Sequence, residues 1–543
     1  MFGETPARIT KEKFMFVIED KNVLVIGLGL SGVAAAELLV ARGGRVVAVD
    51  SLDNAASREA AARLRAHGVR VELGVRKLPP FTPAIVRASM KPAKVPPPSL
   101  AYDFAVISPG VPLDNPLVVE LRAKKIPLIG ELELGYQQSF ALNISITGTN
   151  GKTTTTELIE RVLTQNDLKT VAAGNIGTPL CAIADETRAL DYVTLEVSSF
   201  QLETIQMFRP AVAVLMNLTP DHLDRYTGMD DYVRAKARLF ENQEAFDCAI
   251  IQSEALAYLK KIGARIPSRL VTFSATDDSA DIYLDRTLII SRIEGWTGPL
   301  LNMEDVLLHG PHNAENIMAT LAVGRALHIP LEGVVRAIQG YKPAPHRCEF
   351  IAEVDGVKFV NDSKATNVDA VAKALLSMPE GETPREANVW LLAGGKDKGF
   401  DYQEVGPVLS RRVKGAFLFG ETAKTIRAAW SPFTPCSTVP GLLEAFASAV
   451  EEAVPGDVIL LSPACSSFDQ FRNYQHRGDV FRAAVERLQH SAQTTTQERG
   501  VIFSGAGVSP AFSPMGVPPV EPTRGTRVGL VAAGTAAPLA LTH

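Results

Sequence analysis

Asn143-Ile144-Ser145-Ile146-Thr147-Gly148-Thr149-Asn150-Gly151-Lys152-Thr153-Thr154-Thr155-Thr156 reads as a short apolar strand, a glycine-bearing loop and the start of the helical pattern Glu157-Leu158-Ile159-Glu160-Arg161-Val162-Leu163. Gly148 and Gly151 let backbone N–H groups turn inward around an anion. Lys152 can reach terminal phosphates, and the Thr153 hydroxyl can ligate Mg²⁺. The full phosphate-loop pattern would need glycine at 146, where the chain has Ile146, so this is a shortened variant. Lysine and a threonine run at a helix start add little to packing. The loop is therefore assigned to nucleotide phosphates, with Gly148, Thr149, Asn150, Gly151, Lys152, Thr153 and Thr154 as its contacts.

A second glycine loop lies upstream: Gly27-Leu28-Gly29-Leu30-Ser31-Gly32, after the strand-like Val23-Leu24-Val25-Ile26 and before a helical run, with Asp50 closing the next strand. Such a loop suits a diphosphate at a helix N-terminus. Its first reading is a dinucleotide-dehydrogenase cradle with Asp50 on a ribose; the alternative is a turn set by packing. Two such loops, each opening its own unit, imply two phosphorylated ligands. Further apolar runs (Arg45–Asp50, 103–110, 191–199, 211–218, 358–363, 389–395, 415–420, 457–463) alternate with helical patterns. That alternation predicts an α/β fold of parallel sheets buried on both faces, with chemistry at the strands' carboxyl ends.

At about 150 residues per domain, 543 residues suggest three to four domains. Residues 90–99 carry a proline cluster and read as an exposed loop within the first domain. Residues 491–543 are rich in Gly and Pro with no helical period, and read as a disordered tail. The net charge of −5 is too mild for holding nucleic acid by bulk charge. The five cysteines show no C-x-x-C pair, so neither a zinc site nor a disulfide framework is expected. With no long apolar segment in the sequence, a cytoplasmic protein without signal peptide or membrane span is expected.

Beyond the phosphate loop, Glu196 ends one strand and His222 follows another in Asn217-Leu218-Thr219-Pro220-Asp221-His222-Leu223-Asp224. A carboxylate and an imidazole at neighbouring strand ends suit Mg²⁺ held by few protein ligands plus phosphates. The plainer reading is that Glu196 caps the next helix and His222 bonds within its loop. Lys236 falls on a helical pattern, where lysine ordinarily lies on a solvated face.

The ordered segments ITGTNGKTT, LEVSSFQL, NLTPDHLDRY, GPHNAENIMAT, PAPHRCEF, NDSKATN, LLAGGKDKGFD and LSPACSSFDQFRNYQHRG resemble the Mur ligases over roughly residues 22–488. Within that family they are most similar to the branch that joins D-glutamate to UDP-N-acetylmuramoyl-L-alanine. The resemblance implies three domains: a Rossmann-like UDP-sugar-binding domain (1–140), a central P-loop ATPase-type α/β domain (141–342), and a C-terminal Rossmann-like domain for the amino acid (343–490). It implies ATP-dependent amide ligation in peptidoglycan precursor synthesis through an acyl phosphate and a tetrahedral intermediate, by a cytoplasmic monomer. Lys152, Glu196, His222 and Lys236 are the implied catalytic residues. Thr153, Glu196, His222 and a Lys236 carbamylated by CO₂ would hold two Mg²⁺. Asn313, Asn316, Arg347 and Asp362 are implied at the nucleotide, and Leu30, Ser31, Asp50, Asn175 and His222 at the UDP-sugar. Lys364, Thr366, Lys398, Ser467 and Tyr474 are implied at the D-glutamate carboxylates. ATP would then be clamped between the second and third domains. The alternatives are another Mur-type ligase that adds a different amino acid to a UDP-muramyl acceptor, or a folate-type ligase of the same superfamily, which would not need the first glycine loop. A regulatory protein with vestigial catalytic groups would not need Lys152, Glu196, His222 and Lys236 intact.

Overall fold

Continuous Val/Ile/Leu runs are covered on both faces only inside parallel sheets flanked by helices, and this is the arrangement in a computed structural model of the chain. The structure describes residues 17–81, 102–222, 225–342, 345–379, 387–397 and 400–504. Among them the strands form three sheets, of five, nine and six strands.

The first sheet comprises β1 (Asn22–Ile26), β2 (Arg45–Asp50), β3 (Arg70–Leu73), β4 (Phe104–Ile107) and β5 (Leu128–Gly130). Its order is β3-β2-β1-β4-β5, with every pair parallel. The order reverses between β1 and β4, and the first glycine loop leaves β1 at that crevice, where doubly wound sheets bind ligands. Gly27 there is left-handed (φ +90°), and a Cβ on Gly32 would fall 1.8 Å from the Gly27 oxygen. The loop's third glycine thus permits close helix–strand contact.

The central sheet comprises β6 (Leu142–Thr147), β7 (Thr170–Gly174), β8 (Tyr192–Glu196), β9 (Val212–Leu215), β10 (Cys248–Gln252), β11 (Arg269–Ser274), β12 (Ile282–Asp285), β13 (Leu288–Ser291) and β14 (Gly298–Asn302). In the order β14-β13-β12-β11-β10-β9-β6-β8-β7, strand β6 lies between β8 and β9. The residues at and just beyond the ends of these three strands, Lys152, Glu196 and Asn217 among them, therefore surround one carboxyl-end edge. The helix Lys152–Gln165 buries Leu158, Ile159, Val162 and Leu163 in the same core as Ile144 and Ile146.

The third sheet comprises β15 (Glu349–Val354), β16 (Val357–Asn361), β17 (Val389–Gly394), β18 (Val413–Phe419), β19 (Cys436–Thr438) and β20 (Val458–Leu461), in the order β15-β16-β20-β17-β18-β19.

Two expectations need correction. The sheets are not wholly parallel: β12, β13 and β14 pair antiparallel, as do β15 and β16. Two-residue connections, Arg286-Thr287 and Asp355-Gly356, can join only antiparallel strands. Asp355-Gly356, at φ +50° and +77°, is a hairpin signal present in the sequence. The segment after 490 is also not free of helix, because one helix spans Tyr474–Ser504. Gln, Glu and Arg propagate it, and a lone Gly500 is tolerated. The chain divides into units Met1–His490 and Ser491–His543. The proline-rich 90–99 segment, Lys398 and residues 505–543 lie outside the described residues. No described helix is long and apolar enough to cross a membrane.

Candidate active site

The phosphate loop is fixed from beneath by the segment after β9. Thr149 N donates to Asn217 O (2.9 Å) and Thr149 Oγ1 to Thr219 O (2.9 Å). Asn150 N donates to Asn217 Oδ1 (2.8 Å), and Asn217 Nδ2 returns a bond to Asn150 O (3.0 Å). Gly151 enters the helix in the left-handed region at φ +85°, where a Cβ would lie 2.4 Å from Asn316 Oδ1. Lys152 Nζ curls onto its own loop, donating to Gly148 O (2.9 Å) and Thr149 O (2.8 Å). Burial holds its ammonium below the usual lysine range.

Glu196 closes the adjacent edge. Its Oε2 accepts from Thr153 Oγ1 at 2.6 Å and its Oε1 from Asn175 Nδ2 at 2.7 Å. His222 is held left-handed (φ +55°), its Nε2 3.6 Å from Asp221 Oδ2 and its ring 4.7 Å from that of Phe200. Lys236 is not on a solvated face: it is 2% exposed, donating to Gly148 O at 2.8 Å and Thr147 Oγ1 at 3.4 Å. Its Nζ lies 4.7 Å from the centre of the Tyr232 ring. Burial, reinforced by the Lys152 charge, pushes its ammonium well below the ordinary value.

The third sheet closes the other side. A cavity of about 310 Å³ is lined by the phosphate loop, Asn175, Glu196, Asp221, His222, Asn313 and Asn316 together with Arg347, Asp362, Lys364 and Thr366. Arg347 Nη1 donates to Thr154 Oγ1 (3.3 Å) and Asn367 Nδ2 to Asn150 Oδ1 (3.3 Å), while Asn150 Nδ2 donates to Asp369. Asp362 accepts from Ser462 Oγ (2.9 Å) and Cys348 N (3.2 Å), and burial pushes its carboxyl up to about 7. Asn316 Nδ2 donates to Asn313 Oδ1 (3.0 Å) and Asn313 Nδ2 to His309 O (2.8 Å). Lys364 Nζ sits 4.2 Å from the centre of the Tyr474 ring, which brings two of the expected amino-acid contacts together. Ser467 is buried.

At the first loop, Leu30 begins its helix with its side chain 77% exposed. Asp50 points at its own loop, accepting from Leu28 N and Leu52 N, both at 2.8 Å. Asn175 and His222, grouped by resemblance with the UDP-sugar contacts, line the central cavity. Asp221, His312 and Lys373, absent from the sequence-predicted set, also line it. Lys373 pairs with Asp369 at 3.0 Å, and burial pushes His312 down to about 4. Asp221 had a signal in its adjacency to His222; a lysine inside a helical pattern had none. Among the described residues no group of three or more His, Cys, Asp or Glu could hold a metal ion. A cation at Glu196 would be completed by the Thr153 hydroxyl and by phosphate oxygens, as small Mg²⁺ sites are.

A phosphate loop ringed by Glu196, Asp221 and His222, facing a second α/β sheet across a cavity, defines an ATP-dependent ligase. The Mur ligase middle domain matches residues 146–324, and the Mur ligase glutamate ligase domain matches residues 346–465. The chain belongs to the Mur ligase family. It is 38% identical over 471 residues to the UDP-N-acetylmuramoylalanine--D-glutamate ligase of Acidobacterium capsulatum, covering 86% of this chain and 96% of that protein. It is 39% identical over 472 residues to the protein of that name from Koribacter versatilis, covering 87% and 98%. The UDP-N-acetylmuramate-alanine ligase structure from Thermotoga maritima shares the fold at TM-score 0.51 and 19% identity, over 87% of this chain and 99% of that one.

Proposed function

We propose that this chain joins D-glutamate to UDP-N-acetylmuramoyl-L-alanine, forming an amide at the expense of ATP in peptidoglycan precursor synthesis. The observation that carries the reading is the single cavity in which the phosphate loop and Glu196 face Arg347, Asp362, Lys364 and Thr366. The identity to UDP-N-acetylmuramoylalanine--D-glutamate ligases supports the choice of amino acid.

The UDP portion of the acceptor rests at the first glycine loop near Leu30, Ser31 and Asp50, and its carboxylate reaches the central cavity beside Asn175 and His222. That carboxylate attacks the γ-phosphorus of ATP, the bond to the bridging oxygen breaks, and ADP departs, leaving an acyl phosphate. The amine of D-glutamate then adds to the acyl carbon, and the tetrahedral intermediate expels phosphate with loss of a proton from nitrogen. Phosphoryl transfer of this kind depends chiefly on positioning and charge neutralisation. Lys152 and the loop N–H groups supply both once Lys152 leaves its own loop carbonyls for the phosphates. Arg347 and Asp362 hold the nucleotide from the third domain, and Asn313 and Asn316 lie on the adenine side. Lys364, Thr366, Lys398, Ser467 and Tyr474 receive D-glutamate, whose two carboxylates need charge-assisted partners.

Mg²⁺ fits the Thr153–Glu196 pair and the His222 side, and supplies neutralisation of phosphate charge. Lys236 fits carbamylation: burial favours its neutral amine, whose free electron pair can attack CO₂ with release of one proton to leave an anionic oxygen ligand. Substituting Lys236 with Ala should lower activity, with partial rescue by short carboxylates. Domain limits at 140, 342 and 490 and a monomeric cytoplasmic enzyme complete the reading.

Phosphate release is the test. It should require UDP-N-acetylmuramoyl-L-alanine and D-glutamate together, and L-glutamate should fail. Release with neither substrate, or with a folate acceptor, would overturn the assignment.

A further inference from the structure

Arg225 lies three residues beyond His222 and reaches toward the first sheet. Its Nη1 donates to Pro109 O at 3.0 Å, in the loop that leaves β4 beside the first glycine loop. The neighbouring Ser108 packs so close that a Cβ on Gly27 would lie 2.9 Å from the Ser108 Cβ. The other arm of the guanidinium, Nη2, donates to Glu203 Oε2 at 2.7 Å, and the two side chains are only 15% and 12% exposed. The guanidinium carbon sits 4.0 Å from the centre of the Phe200 ring, and the His222 ring lies 4.7 Å from the same Phe200. Glu203 Oε1 accepts from Tyr226 OH at 2.7 Å, and Tyr226 packs at 5.5 Å on Tyr232, the ring beneath Lys236.

We propose that Arg225 is a positioning residue for the ligation. It is a strut that fixes the span from the first glycine loop to the phosphoryl-transfer centre while clamping Phe200 against His222. The inference rests on the reading of the acceptor as a molecule that bridges those two places. A bridging acceptor can present its carboxylate to ATP only if the two cradles keep one separation, and an error near 1 Å can cost about 100-fold in rate. The guanidinium suits the task because one planar fork serves a carbonyl in one domain and a carboxylate in the other, where a lysine ammonium on a flexible stem serves one of them well. Both nitrogens of that fork are engaged within the protein, so Arg225 acts through what it holds.

Acceptor and ATP are varied separately for wild type, R225K, R225M and E203Q. The KM for UDP-N-acetylmuramoyl-L-alanine should rise by about 10-fold in R225M while that for ATP stays within about twofold. R225K should recover part of the loss, and E203Q should shift the same constant by less. Calorimetric binding of the acceptor alone reads the strut without turnover, and R225K and E203Q carry the test should R225M fold poorly. Equal acceptor affinity in wild type and variants, or an equal rise in both KM values, would overturn the strut alone. A wild type that does not bind the acceptor would overturn the strut and the functional reading together.

Discussion

Lys152 and Lys236 donate to the same oxygen: Gly148 O accepts from Lys152 Nζ at 2.9 Å and from Lys236 Nζ at 2.8 Å. Two ammonium groups on one carbonyl, with little water, cannot both keep their charge cheaply. Burial is the larger cause of the depressed Lys236 value and the Lys152 charge the second. Burial thus acts on both lysines, and Lys236 is the one driven further toward the neutral amine.

That difference has a consequence for stability. The unfolded chain protonates Lys236 at the ordinary lysine value, whereas the folded chain does so only at much lower pH. Between those values the unfolded state holds more protons, so this site adds stability as pH rises. In CO₂-free buffer K236M should therefore melt higher than wild type at neutral pH, by on the order of 1 kcal/mol, while losing activity. The gap should narrow toward alkaline pH. Thermal melts across pH check this, and a variant equally destabilised at every pH would contradict it.

Gly151 tests the loop's shape. At φ +85° and with Asn316 Oδ1 only 2.4 Å from an added Cβ, alanine there meets both backbone strain and a collision. G151A should lose roughly 1–3 kcal/mol of stability and raise the KM for ATP more than that for the acceptor. Melting temperature and paired KM measurements decide whether the strain falls on the nucleotide side.

Much of this site was legible because its chemistry is carried by backbone. A glycine-rich turn before a lysine and threonines has few structural uses, so the loop and its strand could be read directly. Glu196 could be read because it ends an apolar run. Lys236 could not: helical spacing places it on a face, but only the packing of Tyr232 and the Gly148 loop shows that this face is buried. Arg225 and Asp369 likewise reach to segments of other sheets, Pro109 O and Asn150, and no local pattern encodes a partner more than 100 residues away. The antiparallel β12–β14 edge gives little signal because its strands are short and half-exposed, and the Asp355-Gly356 hairpin of the third sheet, though signalled by its turn residues, was likewise not read.

Glu196 links the loop to the metal requirement. Both of its oxygens are engaged, by Thr153 Oγ1 and Asn175 Nδ2. E196Q keeps the shape but removes the charge that a hard cation needs. Its activity should require at least about 10-fold more Mg²⁺ for half-saturation, and chelation should abolish turnover in wild type and variant alike. An unchanged magnesium titration would place the cation elsewhere.

Asp362 gives the nucleotide cavity a titration of its own. Burial raises its carboxyl to about 7, even though Ser462 Oγ and Cys348 N both donate to it. A raised carboxyl value means that the folded chain keeps a proton the unfolded chain has already released. Stability at this site is therefore lost as pH rises from the ordinary carboxyl value through about 7. D362N removes that loss, so its melting temperature relative to wild type should improve between pH values of about 5.5 and about 8.5. Binding should move the other way. An ionised Asp362 accepts hydrogen bonds from nucleotide hydroxyls more strongly than a protonated one, so the wild-type KM for ATP should fall as pH rises through neutrality. D362N should bind ATP more weakly and show no such inflection. If the inflection persists in D362N, another group in the cavity titrates.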